Sequence, residues 1–276
     1  MGKSQSLIRG LVIGSRKAGT TWLYENFKKD DRFSVSKHVK ESGFFSGRIG
    51  EKALEYEQLW PDGDLGYRVE VDTSICSAVD SADRIYRYNE EMKLVLILRD
   101  PVQFLMSRFT HGLRKGEFKS ESIADAFEET PMFRQELDYP GMVSRYNCFA
   151  ERGNMRVIRY SDLQEHPLAF YDHVTHALGV TDETDYSPFL NTVNEARNSN
   201  YPKISKLLSD AAVVARKYGF HEIVNVAKST GFHGKLEEKR GKDESNNMYH
   251  EAEKIIHRFF PDTHNYYNAL GKYDGK

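Results

Sequence analysis

The stretch "LVIGSRKAGTTWLYENF", residues 11–27, decides how this chain begins to fold. "LVIG" reads as a buried strand, "SRKAG" as a tight turn, and "TTWLYENF" as the start of a helix. Gly14 and Gly19 permit backbone torsions and close approaches that a side chain would block. The turn's N–H groups and the positive end of the following helix together make an anion site. Lys17 adds a mobile charge, and Thr20 and Thr21 add hydroxyl donors. A nucleoside-triphosphatase loop carries its lysine after the last glycine, as G-K-[ST]. Here Lys17 precedes Gly19 by two residues, so the loop is built for a different phosphate, or is a plain strand-to-helix turn with a solvated lysine.

Working outward, "LIRGLVIG" (7–14) and "KLVLILRD" (93–100) are continuous apolar, β-branched runs of the kind found in parallel strands covered on both faces. "YRVEVD" (67–72) and "MRVIRY" (155–160) are weaker strand patterns, with helical patterns between all four. Strands alternating with helices predict an α/β fold: a central, mainly parallel sheet flanked by helices. Asp100 suits a helix N-cap and Pro101 the first helical position. Val102, Leu105, Met106 and Phe109 then form an apolar stripe, with Gln103, Ser107, His111 and Arg114 opposite. Met248, Ile255, Ile256 and Phe259 mark a second amphipathic helix, stopped by Pro261. The polar region 186–245 reads as loops that order around a ligand.

Ligands of open α/β sheets bind at the carboxyl ends of the strands. Arg99 stands at such an end, where a planar, permanently charged phosphate ligand belongs. Ser107, eight residues on and off the apolar stripe, could reach the same phosphate. A strand-end ion pair of Arg99 with Asp100 and a solvated Ser107 are the plainer alternatives.

At 276 residues the chain is long enough for one sizeable core, and no linker or repeat divides it; we expect a single domain over 1–276. A formal charge of −2 gives no general attraction to nucleic acid or acidic membranes. Cys76 and Cys148 make neither a disulfide framework nor a metal cluster, and each reads as a small buried side chain. There is no N-x-[ST] sequon, signal peptide or membrane-length apolar run. The start "MGKSQS" matches an N-myristoylation pattern formally, and by chance, since the first strand begins close behind it. These features suggest a cytoplasmic protein with no membrane partner.

Together "RKAGTTWL" and "LRDPVQFLMSRF" resemble the two nucleotide-binding signatures of sulfotransferases that use 3′-phosphoadenosine 5′-phosphosulfate (PAPS), K-x-G-T-T-W-L and R-[DN]-P-x(5)-S. "VIRYSDLQEHPLAFYDHVTHALGV" resembles that family's strand, tyrosine turn and helix, and "FFPDTHNYYNALGK" its C-terminal helix ending, so the likeness covers most of the chain. It implies the family's P-loop-like fold, PAPS as co-substrate and 3′,5′-adenosine bisphosphate (PAP) as product. Within the loop formed by Arg16, Lys17, Ala18, Gly19, Thr20 and Thr21, it implies that Lys17 contacts the 5′-phosphate and the bridging oxygen. Trp22 and Tyr160 would lie near the adenine, and Arg99 and Ser107 would bind the 3′-phosphate. Lys239, Arg240 and Gly241 fall where the family closes a basic loop over that phosphate, although a solvated charged loop reads equally well.

The transferred sulfuryl group leaves a weakly basic phosphate, which requires no metal, while the acceptor hydroxyl needs a base. "SKHVKESGFF" (36–45) resembles the K-E-x-x-F-F segment of the heparan-type and bacterial branch, which implies Glu41 as base with Phe44 and Phe45 packed beneath. The cytosolic small-molecule branch uses a histidine in this region, which makes His38 the alternative, with His111 a more distant one. A glutamate in this role is expected to need burial that raises its pKa. Where many heparan-type members place a helpful lysine after the third strand, this chain has "EVDTSICS", with Val71 or Asp72 at that position. A P-loop kinase or nucleoside-triphosphatase, and a non-catalytic PAPS-binding homologue, are the competing readings. The acceptor is a small molecule, a glycan or another hydroxyl- or amine-bearing group. Arg108, Arg114, Lys115 and Lys119 would favour an anionic one, unless they are a solvated helix end.

Overall fold

A computed structural model describes residues 7–36, 39–48, 56–61, 66–118, 120, 122–181, 198–199, 237–238 and 242–271. In chain order the elements are β1 (Gly10–Gly14), α1 (Thr20–Phe27), β2 (Phe33–Ser34), β3 (Tyr67–Val71), α2 (Ser81–Tyr88), β4 (Lys93–Leu98) and α3 (Pro101–Lys115). Then come α4 (Ile123–Glu129), α5 (Met132–Glu136), α6 (Tyr139–Ser144), α7 (Asn147–Ala150), β5 (Met155–Arg159), α8 (Tyr160–Glu165) and α9 (Pro167–Ala177). A two-residue pair, β6 (Asn198–Ser199) and β7 (Glu237–Glu238), is followed by α10 (Lys242–Phe259) and α11 (Pro261–Ala269). The described residues fall into two compact units: one within 1–100, 135–193 and 262–276, the other within 101–134 and 194–261.

The first unit is built on five parallel strands in the order β2-β3-β1-β4-β5. Successive side chains of a strand point to opposite faces, and here both faces are covered. Leu11, Ile13, Leu94, Leu96 and Leu98 enter one buried cluster with Ile85 of α2, Met142 of α6 and Tyr267 of α11. Val12, Val69, Val71, Val95 and Ile97 enter the other, with Leu23 and Phe27 of α1 and Phe170 and Val174 of α9. This is why β1 and β4 show continuous apolar runs instead of alternation. Truncating one of these strand residues, such as Ile97→Ala, costs about 2–5 kcal/mol by loss of burial and the cavity left behind.

All four strand patterns read from the sequence are strands. The short edge strand β2 was not expected, and two residues carry too little pattern to be seen. From β1 the chain runs to the edge at β2, returns to β3 beside β1, and then crosses to β4 and β5 on the other side. β1 is therefore the point where the winding reverses, and the crevice for a ligand lies at its carboxyl end. The residues following β1, β3 and β4 converge there.

In the second unit, α3 starts at Pro101 as expected, with Val102, Leu105 and Phe109 buried. Phe109 stacks on Phe118 at 5.7 Å, Phe118 meets Phe133 at 5.5 Å, and Phe127 meets Phe259 of α10 at 5.5 Å. Gly112 makes room for this: a Cβ there would stand 2.0 Å from the Phe118 ring. Arg108 corrects an expectation. It is buried, pairs with Glu117 at 2.7 Å and lies over the Phe118 and Phe133 rings, so it belongs to the packing and not to an exposed basic patch. Lys119 lies outside the described residues. Cys148 is exposed, against the expectation of burial, whereas Cys76 is buried, and burial pushes its thiol up to about 12.

Candidate active site

The loop after β1 carries its own means of holding an anion. Ser15 is buried, and its N–H donates to the Ile97 carbonyl of β4 at 2.5 Å, tying the loop to the sheet. Lys17 and Gly19 are both in the left-handed region, at φ 62° and 75°, a pattern that turns backbone N–H groups into a concavity. Gly19 is also packed close: a Cβ there would meet Leu163 at 2.4 Å and Tyr160 at 2.9 Å. It caps α1 without a side-chain hydrogen bond, and the first turn itself holds no acidic residue.

Arg99 follows β4 and reaches this loop. Its Nη1 donates to the Lys17 carbonyl at 3.0 Å, and its guanidinium lies 4.9 Å from the centre of the Tyr160 ring. Burial pulls the guanidinium below its ordinary value. Its Nε and the Ser15 hydroxyl are buried without a hydrogen-bond partner among the described residues. A buried charge with an unused donor calls for an anion.

The other loop positions divide. Thr20 is buried and Thr21 half-buried at the start of α1. Ala18 is fully buried in the core. Trp22 is buried too, edge-on to Phe170 at 6.2 Å and to Tyr171 at 6.0 Å. Arg16 faces the buried carboxylate of Glu136 at 3.3 Å. Ser107 lies half-buried on α3, in the second unit. His38, Lys239, Arg240 and Gly241 lie outside the described residues.

Glu41 is the other non-glycine residue with positive φ among the described residues, at 70°. Its Oε1 accepts from Thr73 Oγ1 at 2.7 Å and from Lys40 Nζ at 3.0 Å. Burial alone would raise its pKa, but Lys40 and the Thr73 hydroxyl outweigh it and hold the carboxyl below its usual range. That reverses the expectation of a raised base: the cation beside Glu41 wins. Lys40 Nζ also reaches Thr20 Oγ1, at 3.5 Å, joining the Glu41 segment to the phosphate loop.

Beneath Glu41 the strand β3 ends in two buried acids. Glu70 accepts from the Ser42 N–H at 2.9 Å and from Tyr56 Oη at 2.6 Å. Asp72 accepts from the Gly43 N–H at 2.9 Å, and from the N–H and hydroxyl of Ser74 at 2.8 and 2.6 Å. The two residues after Glu41 are thus pinned by consecutive inward-facing acids. Burial, reinforced by Asp72, pushes Glu70 from its ordinary 4.5 to about 7, and burial raises Asp72 as well. Phe45 is fully buried, and Phe44 stacks on Tyr56 at 4.2 Å, completing the floor. Lys40, Thr73, Glu70 and Asp72 were missed as functional residues. The available signal was "YRVEVD" itself, where Glu70 and Asp72 alternate with valines in a strand that is buried.

The sulfotransferase domain model matches residues 8–208, more than half of the sequence. The chain belongs to the sulfotransferase family. Its fold is similar to that of a sulfotransferase from Alicyclobacillus acidocaldarius, with a TM-score of 0.56 and 21% identity over 79% of this chain and 95% of that one. It is similar also to retinol dehydratase in a complex with androsterone and inactive cofactor PAP, with a TM-score of 0.51 and 13% identity over 98% of this chain and 83% of that one. No curated protein sequence matches. For a sulfotransferase the arrangement is chemically apt: an anion-seeking loop and a carboxylate meet at the carboxyl end of the central strand. Among the described residues no helix is long and apolar enough to cross a membrane, and no His, Cys, Asp or Glu cluster is placed to hold a metal ion.

Proposed function

We propose that this sulfotransferase moves the sulfuryl group of PAPS, in line, to the oxygen or nitrogen of a small-molecule, glycan or similar acceptor, releasing PAP. One observation carries the reading. A phosphate loop with a half-buried arginine beside it, whose Nε is unpartnered among the described residues, shares the carboxyl end of the sheet with a hydrogen-bonded carboxylate. PAPS supplies an activated sulfuryl group and two further phosphate charges, and the residues present suit both. Arg99 holds the 3′-phosphate with Ser107, through planar charge-assisted hydrogen bonds. Gly19, Thr20 and Thr21 hold the 5′-phosphate at the start of α1. Lys17 stabilises the charge that builds on the departing bridging oxygen. Glu41 accepts the acceptor's proton; its lowered pKa keeps it ionised at neutral pH and makes it the weaker base for it. Tyr160 borders the adenine. His38 as the alternative to Glu41, and Lys239, Arg240 and Gly241 as a closing loop, remain part of the proposal, as does one functional domain spanning both units. The free cysteines Cys76 and Cys148 accord with a cytoplasmic location.

Calorimetric titration with PAP, and separately with ATP and Mg²⁺, tests this on wild type and on Arg99→Ala. PAP binding that Arg99→Ala weakens, with little affinity for ATP, supports the proposal. Preference for ATP with Mg²⁺ overturns it in favour of a kinase-like enzyme.

A further inference from the structure

In-line transfer places the sulfur between the acceptor atom, which Glu41 serves, and the bridging oxygen, which the phosphate loop serves. A side chain that touches both sides lies alongside the group in flight. Lys40 does so: its ammonium stands 3.0 Å from Glu41 Oε1 and 3.5 Å from Thr20 Oγ1. An ammonium has three donors, and these two contacts leave one N–H without a partner among the described residues. The side chain is 21% exposed, so it is not sealed in the core. The surroundings also demand a cation there. Glu41, Glu70 and Asp72 bring three carboxyl groups to one strand end. Asp72 itself is taken up by the backbone N–H groups of Gly43 and Ser74.

We infer that Lys40 is a second cation of the active site, binding the sulfuryl oxygens of the donor while it bridges Glu41 and Thr20. This rests on the PAPS reading above. Lys17 then answers the charge on the leaving oxygen, and Lys40 the charge on the transferred group itself.

The test needs no acceptor. Calorimetry compares PAPS with PAP, which lacks the sulfuryl group, on wild type, Lys40→Met and Lys40→Arg. The expected result is a loss of PAPS affinity of roughly tenfold in Lys40→Met, as for one charge-assisted hydrogen bond. PAPS affinity should fall at least about fivefold more than PAP affinity, and an unchanged circular dichroism spectrum and melting transition show that the variant is folded. Lys40→Arg should recover part of the PAPS affinity. Equal weakening of PAPS and PAP, or no change in either, overturns the inference while leaving the donor assignment standing. Wild type that binds neither nucleotide overturns both.

Discussion

Arg99 Nη1 donates to the carbonyl oxygen of Lys17 at 3.0 Å. The strand-end arginine therefore shapes the phosphate loop as well as offering charge to a ligand. Arg99→Ala should weaken PAP roughly 10- to 100-fold, the range for losing charge-assisted hydrogen bonds. Arg99→Lys should recover little, because an ammonium cannot serve the loop carbonyl and a phosphate in the same planar geometry. Titration calorimetry distinguishes the two variants.

Gly19 combines a φ of 75° with a packed environment. Gly19→Ala should cost about 1–2 kcal/mol for the left-handed backbone, and about 1–3 kcal/mol more for forcing a methyl against Leu163 and Tyr160. Urea unfolding should register the sum, and PAP binding should fall with it. An alanine protein of unchanged stability would mean that the loop can leave this conformation freely.

The two acids under Glu41 should respond in opposite ways to amide replacement. Both Asp72 oxygens face backbone N–H groups, of Gly43 and Ser74. Asp72→Asn must turn an amide donor toward one of them, at about 1–3 kcal/mol. Glu70 faces one N–H, of Ser42, and one hydroxyl, of Tyr56, and the hydroxyl can reverse to accept. Glu70→Gln should therefore fold normally. Because the folded pKa of Glu70 is about 7 against an ordinary 4.5, the native state holds the extra proton. Stability from this group is complete below about 4.5, declines as pH rises to about 7, and levels off above. Glu70→Gln should remove that decline and be the more stable protein at pH 8, as read by thermal unfolding across the range.

Lys40 holds the Glu41 carboxyl below its usual range, against the effect of burial. Lys40→Met removes that cation, so the Glu41 pKa should rise, and a carbon-detected NMR titration of the glutamate carboxyls would show it. The stability that Glu41 contributes in wild type is present above its unfolded pKa and lost as pH falls through the lower folded value. In Lys40→Met this acid-side loss should shrink or reverse sign.

Much of this was legible in the sequence. The runs at 7–14 and 93–100 gave away strands buried on both faces, because parallel strands under two helical layers have no polar side to hide. Glycine spacing and the R-D-P step located the loop and Arg99. What stayed hidden was tertiary. Arg108 looks like part of a basic surface in one dimension, and only packing shows it paired with Glu117 beneath phenylalanine rings. The edge-on contacts of Trp22 with Phe170 and Tyr171, about 150 residues away, are equally invisible in one dimension. The clamp of Glu70 and Asp72 on residues 42 and 43 spans about thirty positions, beyond any local periodicity.

Lys17 and Glu41 share a backbone conformation that side chains disfavour, each at a cost on the order of 1–3 kcal/mol. Evolution could relieve either with a glycine, since the Lys17 carbonyl would still receive Arg99. Relief of the left-handed strain outweighs or matches the greater freedom glycine gives the unfolded chain. Lys17→Gly should accordingly melt no lower than wild type while transferring nothing. The left-handed strain on non-glycine residues, among those described, thus falls on the two side chains proposed for the chemistry, a trade of durability for turnover.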